Sequence, residues 1–336
     1  MKRACFIIPY FGKLPNYFQL FLNSCAPNKN FDWLLFTDDM DDFDFPENVK
    51  RIQMSWPEFQ KIAQEKFEIK LSLEFTRKLC DFKPTYGYIF ESYIQKYPYW
   101  GYCDIDTIMG NLDKLLPIDF IEKYDKLFSL GHMVLFKNSP EINKVFMKPV
   151  DNKEIYKTAL TKNEITVFDE TGSGKENIDT IFVKNGYKVF HADWSYNPRV
   201  TPTKFKNVIY DYSTDSFYNE TLKKSLCIWN GKDIIRYIFQ NNNVKSEEYL
   251  YVHLQQRKMK LKKGVERAKA FAIIPNEFIS VDITKLKDLK YIKKIKRRNL
   301  NLHYVKILWK WKVKNRFFKK IDYERKANFK YYYSSL

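Results

Sequence analysis

Residues 97–111 read YPYWGYCDIDTIMGN, and the rest of the chain is organised around them. Tyr99, Trp100, Tyr102 and Cys103 form an aromatic and apolar run that carries two carboxylates, Asp104 and Asp106, one residue apart. Tyr, Trp and Ile favour an extended, half-buried backbone, so Tyr99–Ile105 is expected to be an interior strand. Alternation along a strand would put Asp104 and Asp106 on one face near its C-terminal end. Two carboxylates side by side repel unless a cation or hydrogen-bond donors sit between them. Hard divalent ions such as Mg²⁺ and Mn²⁺ take oxygen ligands, and Mg²⁺ typically combines one or two carboxylates with substrate phosphates. An Asp-x-Asp pair is common by chance, and Asp42-Phe43-Asp44 repeats it in a loop. Context separates the two: only Asp104 and Asp106 follow a buried-looking strand and precede a Gly110-Asn111 loop.

Upstream, Ala4–Pro9 is an apolar run ending in Tyr10-Phe11-Gly12, the pattern of a first parallel strand. Asn16–Cys25 has helical spacing, and Phe31–Phe36 is a second strand followed by Thr37-Asp38-Asp39. Strand, helix, strand within forty residues opens a βαβ sheet, and such sheets bind ligands beyond the strand C-termini. Pro9, Tyr10, Phe11, Gly12 and Asp38 are therefore expected on one rim with Asp104 and Asp106. Trp56–Lys70 reads as a helix. Pro84 suits the first turn of another helix, Thr85–Lys96, for which Asp81 is a candidate cap.

Downstream, Leu127–Phe136 looks like one strand, with Gly131-His132 in its middle, where a glycine often lets something approach closely. His132, a lone histidine, is expected to be structural. Asp169, Glu170 and Asp193 lie in loops. Gly172-Ser173-Gly174-Lys175 lacks the spacing and following helix of a phosphate loop. Asn177–Asn185 is a short amphipathic helix. Leu250–Leu254 is a strand that carries His253 and runs into Gln255-Gln256-Arg257-Lys258. Imidazole is a natural third ligand beside two carboxylates, and Arg257 and Lys258 can neutralise a diphosphate.

Aromatic residues make up 18% of the 336 residues and hydrophobic ones 45%, ample for a core, so global disorder is excluded. Five cysteines without a Cys-x-x-Cys pair suggest reduced thiols and a cytoplasmic setting. The apolar run in MKRACFIIPYFG is too short for a signal peptide, and no stretch approaches the roughly 18 apolar residues of a membrane span. Charge is unevenly divided. Residues 257–336 hold 25 Lys+Arg against 6 Asp+Glu, net +19, whereas the first 256 residues are net −1. An anionic partner is therefore expected for the tail alone. Thr284–Asn299 puts Leu286, Leu289, Ile292 and Ile295 on one face. Tyr304–Phe318 interleaves Trp309, Trp311, Phe317 and Phe318 with Lys310, Lys312, Lys314 and Arg316. Basic amphipathic helices with aromatics suit an anionic membrane surface.

Five blocks, FIIPYFGKLPNYFQLFLNSC, FDWLLFTDD, LCDFKPTYGYIFESYI, YWGYCDIDTIMGNL and GHMVLFKNSPEIN, resemble bacterial polysaccharide-biosynthesis glycosyltransferases of GT-A type. The resemblance covers residues 4–258. It implies a Rossmann-like mixed α/β sheet flanked by helices, with a catalytic domain expected over 1–258; the basic region over 259–336 lies outside the resemblance and is expected to be helical from its spacing. Asp104 and Asp106 fall on the Asp-x-Asp motif, which would hold Mn²⁺ or Mg²⁺ on the diphosphate of a UDP-sugar. Pro9–Gly12 and Asp38 fall where such enzymes meet the nucleoside, and Asp81 and Lys83 where donor contacts are common. Residues 251–259, YVHLQQRKM, sit where relatives place a late histidine and cation, but depart from their usual Gly and Lys-Pro-Trp continuation.

The function expected is hexose transfer from a UDP-sugar to a glycan or polyprenyl-linked oligosaccharide of a bacterial capsule, O-antigen or lipopolysaccharide. Asp169, Glu170 and Asp193 are candidates for the base that an inverting enzyme needs. The tail would hold the protein at the inner face of the cell membrane, with no nucleic acid as partner. Two rivals stand beside this reading: a nucleic-acid-binding protein acting through its tail, and a nucleotidyl- or phosphotransferase on a similar sheet.

Overall fold

The computed structural model describes residues 2–298 apart from Ser173, 200–204, Leu222, 241–242 and Asn276, together with 302, 305–306, 309–310 and 312–313. Much of the expected Tyr304–Phe318 segment, including Trp311, Lys314, Arg316, Phe317 and Phe318, lies outside the described residues. The strands follow in chain order. They begin with β1 (Ala4–Pro9), β2 (Phe31–Thr37), β3 (Val49–Gln53), β4 (Tyr99–Cys103), β5 (Thr107–Met109) and β6 (Lys126–Leu127). The next six are β7 (Met133–Lys137), β8 (Val189–Phe190), β9 (Ser195–Tyr196), β10 (Val208–Asp211), β11 (Ser216–Asn219) and β12 (Ser225–Trp229). The last six are β13 (Ile234–Gln240), β14 (Asn243–Tyr249), β15 (Tyr251–His253), β16 (Lys260–Leu261), β17 (Phe271–Ile274) and β18 (Glu277–Ser280).

A seven-stranded sheet in the order β3-β2-β1-β4-β7-β6-β8 forms the centre. The first four strands are parallel and β7 runs antiparallel to β4, so the sheet is mixed. The period-2 pattern of β1 explains its place. Cys5 and Ile7 enter one core cluster while Ala4, Phe6 and Ile8 enter the other, and all five are buried. A strand buried on both faces reads as a continuous apolar run. Each such large side chain contributes about 1.5–3 kcal/mol on leaving water. Gly101 lets β4 and β7 close up, because a Cβ there would lie 2.2 Å from the Val134 carbonyl oxygen.

Strand order reverses at β1, with β2 and β3 on one side and β4 on the other. The crevice beyond the carboxyl ends at such a reversal is where open α/β sheets bind ligands. The Tyr10–Gly12 turn leaves β1 there, and the Asp104–Asp106 turn leaves β4.

Several expected boundaries move. Trp56–Glu65 is helical from a capping box, in which Ser55 accepts from Glu58 N and the Glu58 carboxylate accepts from Ser55 N, but it stops five residues before Lys70. Thr85–Lys96 is broken at Phe90 into the short helices Tyr86–Ile89 and Glu91–Ile94. Leu127–Phe136 is two antiparallel strands, β6 and β7, because Phe128 turns the chain at φ 68°.

The largest correction concerns residues 259–281. They form β16, β17 and β18 of a second, six-stranded sheet, β14-β13-β12-β17-β18-β16, that starts at Ser225. A boundary at 258 would cut through it. One face of this sheet, with Cys227, Trp229, Phe271 and Phe278, packs on Tyr17, Leu20, Ile108 and Val252 of the first unit. The other face, with Leu226, Ile228, Ala272 and Ile274, is covered by Ile292 and Ile295 of the helix Leu289–Arg297. No helix among the described residues is long and apolar enough to cross a membrane.

Candidate metal centre

Asp104 and Asp106 do not alternate on a strand. β4 ends at Cys103, and the two carboxylates sit in the tight connection to β5. The Asp104 N–H donates to the His132 carbonyl at 3.1 Å, and the Thr107 hydroxyl donates to the Asp104 carbonyl at 2.7 Å. What brings His253 to them is a three-residue ladder. β5 pairs antiparallel with β15, setting His253 opposite Thr107, next to Asp106. The Leu254 N–H then donates to the Asp106 carbonyl at 2.8 Å, closing about 150 residues of intervening chain.

Each carboxylate has one oxygen fixed and one turned inward. Asp104 Oδ1 takes the Lys83 ammonium at 2.8 Å, while Oδ2 lies 3.7 Å from His253 Nε2. Asp106 Oδ2 accepts the Gln256 N–H, while Oδ1 lies 3.6 Å from the same Nε2. Those separations exceed a hydrogen bond. One ligand atom from each of the three residues falls within 4.8 Å of the others. The donor set of one imidazole nitrogen and two carboxylate oxygens fits Mn²⁺ or Mg²⁺. Burial raises the Asp106 carboxyl above its ordinary range, and Asp104 adds to this while His253 opposes it. A divalent cation would relieve both contributions.

Residues 6–282 match the model of a family described as a Family of unknown function (DUF6625). The chain belongs to DUF6625. No curated protein matches it. Among solved structures it is similar to the crystal structure of a galactosyltransferase, LgtC, in complex with donor and acceptor sugar analogs. Identity is 12%, covering 58% of this chain and 76% of that one, at a TM-score of 0.32.

In this DUF6625 chain Lys83 is the hub beside the Asp104, Asp106 and His253 cluster. Its ammonium lies 2.8 Å from Asp104, 3.0 Å from Asp169 and 2.8 Å from the Gly131 carbonyl, and it is largely buried. Burial works against its charge, but Asp104 and Asp169 hold its pKa well above the ordinary lysine value. Gly131 supplies the close approach expected of it, although in a turn and not mid-strand. A Cβ there would come 2.6 Å from Asp169 Oδ2 and 3.0 Å from Glu170 Cβ. Val167, just before this acidic pair, is held at φ 62°, a costly conformation for a β-branched residue.

Asp169 is buried and Glu170 half-buried. Burial lifts the Asp169 carboxyl to about 6 despite Lys83, and burial together with Asp169 lifts Glu170 to about 8. In the unfolded chain Glu170 titrates near 4.5. Because the folded value is the higher one, the native state keeps a proton that the unfolded chain releases. The associated stability is present at low pH and is lost as pH rises from about 4.5 through 8. Glu170→Gln is expected to flatten the fall in urea-unfolding stability over that window in metal-free protein, leaving the smaller slope of Asp169. An unchanged slope would contradict this placement.

The remaining expected residues divide. On the β1 rim the Gly12 N–H donates to Asp38 at 2.7 Å, pinning the Pro9, Tyr10, Phe11, Gly12 turn to the end of β2. Tyr10 is half-buried on this rim, and its hydroxyl pKa is raised by burial and then by the charges of Asp106 and Asp39. Lys258 is exposed. Three residues do other work. Asp81 is fully buried, bonded to Lys78 at 2.7 Å and to the backbone N–H groups of Thr166 and Phe168, so it caps no helix and cannot reach a ligand. Arg257 points into the core, where its guanidinium donates to the carbonyls of Arg199 and Pro275 and lies 5.0 Å over the Phe205 ring. Asp193 accepts from both the N–H and the hydroxyl of Ser195, as the cap of a turn.

His132 supports the site without entering the ligand set. It stacks on His253 with centroids 4.4 Å apart, and its Nδ1 shares a 2.6 Å hydrogen bond with the Tyr251 hydroxyl. This stack fixes the plane of the His253 ring. Burial holds His132 neutral, with a pKa well below the ordinary value.

Proposed function

We propose that this protein is a metal-dependent glycosyltransferase that moves a hexose from a UDP-sugar to a hydroxyl of a glycan or polyprenyl-linked oligosaccharide. The observation that carries this reading is the convergence of Asp104, Asp106 and His253 beyond the carboxyl ends of β1 and β4, where the strand order reverses. A ligand there meets two surfaces. The Tyr10–Gly12 turn and Asp38 offer an aromatic ring and a carboxylate for a nucleoside, and the metal seat takes its diphosphate.

When bound, Mn²⁺ or Mg²⁺ supplies Lewis-acid stabilisation of the departing diphosphate. The chain does the rest. Lys83 and Gln256 N–H hold the outer oxygens of Asp104 and Asp106, so the inner oxygens stay aimed at the seat. Lys83 also adds positive charge at the developing leaving group. We assign the base for the acceptor hydroxyl to Asp169, which is ionised above about pH 6 and paired with the same lysine. Glu170, at about 8, keeps its own proton at neutral pH.

The basic C-terminal region, net +19 from residue 257, would hold the protein at an anionic inner membrane face where a lipid-linked acceptor of surface-polysaccharide synthesis is presented. The test is incubation with UDP-hexoses, Mn²⁺ and an oligosaccharide acceptor. Free UDP together with an acceptor heavier by one hexose supports the proposal. Nucleotide or phosphate joined to the acceptor would replace it with a nucleotidyl- or phosphotransferase.

A further inference from the structure

The helix Leu289–Arg297 is anchored by Ile292 and Ile295, both buried against the second sheet. That anchoring fixes the direction of its other side chains. Lys293, Lys296 and Arg297 follow at i, i+3 and i+4, which places them on one face. They line a groove of about 960 Å³ together with Lys223 and Lys224, which immediately precede β12. Ile238, Phe239 and Gln240 of β13 complete the lining. The Lys296 ammonium sits 5.2 Å over the Phe239 ring.

Five cations thus face one cavity. Lys223 is partly answered by Glu220 at 3.4 Å and Glu247 at 3.9 Å. Among the described residues Lys224, Lys293, Lys296 and Arg297 have no ion-pair partner. Burial and the charge of Lys224 lower the Lys296 pKa, as expected of like charges gathered without an anion between them. Such a cluster is destabilising by itself and is relieved by a bound anion. Part of the lining is apolar, and just beyond the helix Leu302, Val305 and Trp309 are 81%, 53% and 67% exposed. A cationic groove with partly apolar lining, in a chain whose next described side chains are exposed aliphatic and indole groups, matches the headgroup level of an anionic bilayer better than a bare polyanion.

We propose that this groove seats the phosphate headgroup of an anionic membrane lipid. Docking is then made by the folded second sheet and its helix, not only by the charge of the chain that follows. The inference deepens the membrane-surface part of the proposed function and is independent of the metal centre.

The test is co-sedimentation of the full chain with phosphatidylcholine vesicles and with phosphatidylcholine–phosphatidylglycerol vesicles. Wild type is expected to bind only the anionic ones. Lys224→Ala/Lys296→Ala, and separately Lys293→Ala/Arg297→Ala, should weaken that binding roughly tenfold or more, since each basic residue near such a surface is worth about a factor of five. Lys70→Ala/Lys184→Ala removes the same charge from exposed positions elsewhere and should change little. Groove variants that bind like wild type, or lose no more than that control, would overturn the proposal. So would groove-dependent binding of inorganic phosphate or duplex DNA without binding of anionic vesicles. Wild type that ignores anionic vesicles would overturn the membrane reading itself. Metal-dependent UDP binding, measured on the same variants, should be unchanged, which separates either failure from failure of the glycosyltransferase reading.

Discussion

Asp104→Asn/Asp106→Asn is expected to lower hexose transfer by at least roughly three orders of magnitude, about 4 kcal/mol of lost transition-state stabilisation. The substitution is isosteric, and the amide oxygen introduced at position 106 would still accept the Gln256 N–H that fixes the turn. The two charges that make the seat attractive to a divalent ion are removed, and Lys83 exchanges its charge pair with Asp104 for a neutral contact while keeping Asp169 and the Gly131 carbonyl. Those charges also repel each other, and burial already raises the Asp106 carboxyl. Relief of that repulsion and loss of the Asp104–Lys83 charge pair oppose each other, so the metal-free melting temperature should change little, and divalent ions should no longer raise it. Loss of activity with a lowered metal-free melting temperature would instead point to a folding role for the pair. Undiminished transfer would remove the site from the chemistry.

Lys83→Met is expected to cost about 3 kcal/mol or more of folding stability at pH 8, because it leaves two carboxylates without their shared cation in a largely buried setting. The sign of the pH dependence follows from Asp169. Below about pH 6 that carboxyl holds its proton even in wild type, so there is less ion pairing to lose. As pH rises through 6, wild type keeps the ionised pair and the variant cannot, so the stability gap should widen from pH 5 to pH 8. Urea unfolding at the two pH values checks this, and equal stabilities at pH 8 would contradict the bridging role. Transfer should also fall, since Asp104 loses the contact that aims its inner oxygen.

The same residues show what a sequence can and cannot reveal. β1, β2, β15 and the helix Ile178–Lys184 were legible because their apolar spacing matched one period and their neighbours punctuated it. Asp104, Asp106 and His253 were legible as residue types with a shared chemistry. Their meeting depends on the β5–β15 ladder, a pairing across about 150 residues that no local pattern announces. The β6–β7 turn was hidden because an aromatic residue at φ 68°, Phe128, does the work usually marked by glycine. Asp81 and Arg257 were misplaced for one reason. Charge alone does not say whether a side chain faces solvent or satisfies buried backbone, and both do the latter. The strands β16–β18 were overlooked because the basic composition of the C-terminal region outweighed the short β-forming run FAIIPNEFIS within it.

The most direct measurement is calorimetric titration of UDP into the purified full chain, with and without Mn²⁺, repeated on Asp104→Asn/Asp106→Asn. The proposed function predicts binding that requires the metal and is lost in the double variant. UDP binding that is indifferent to metal, or no binding in any divalent ion, would contradict the assignment of Asp104, Asp106 and His253 as a donor-diphosphate site.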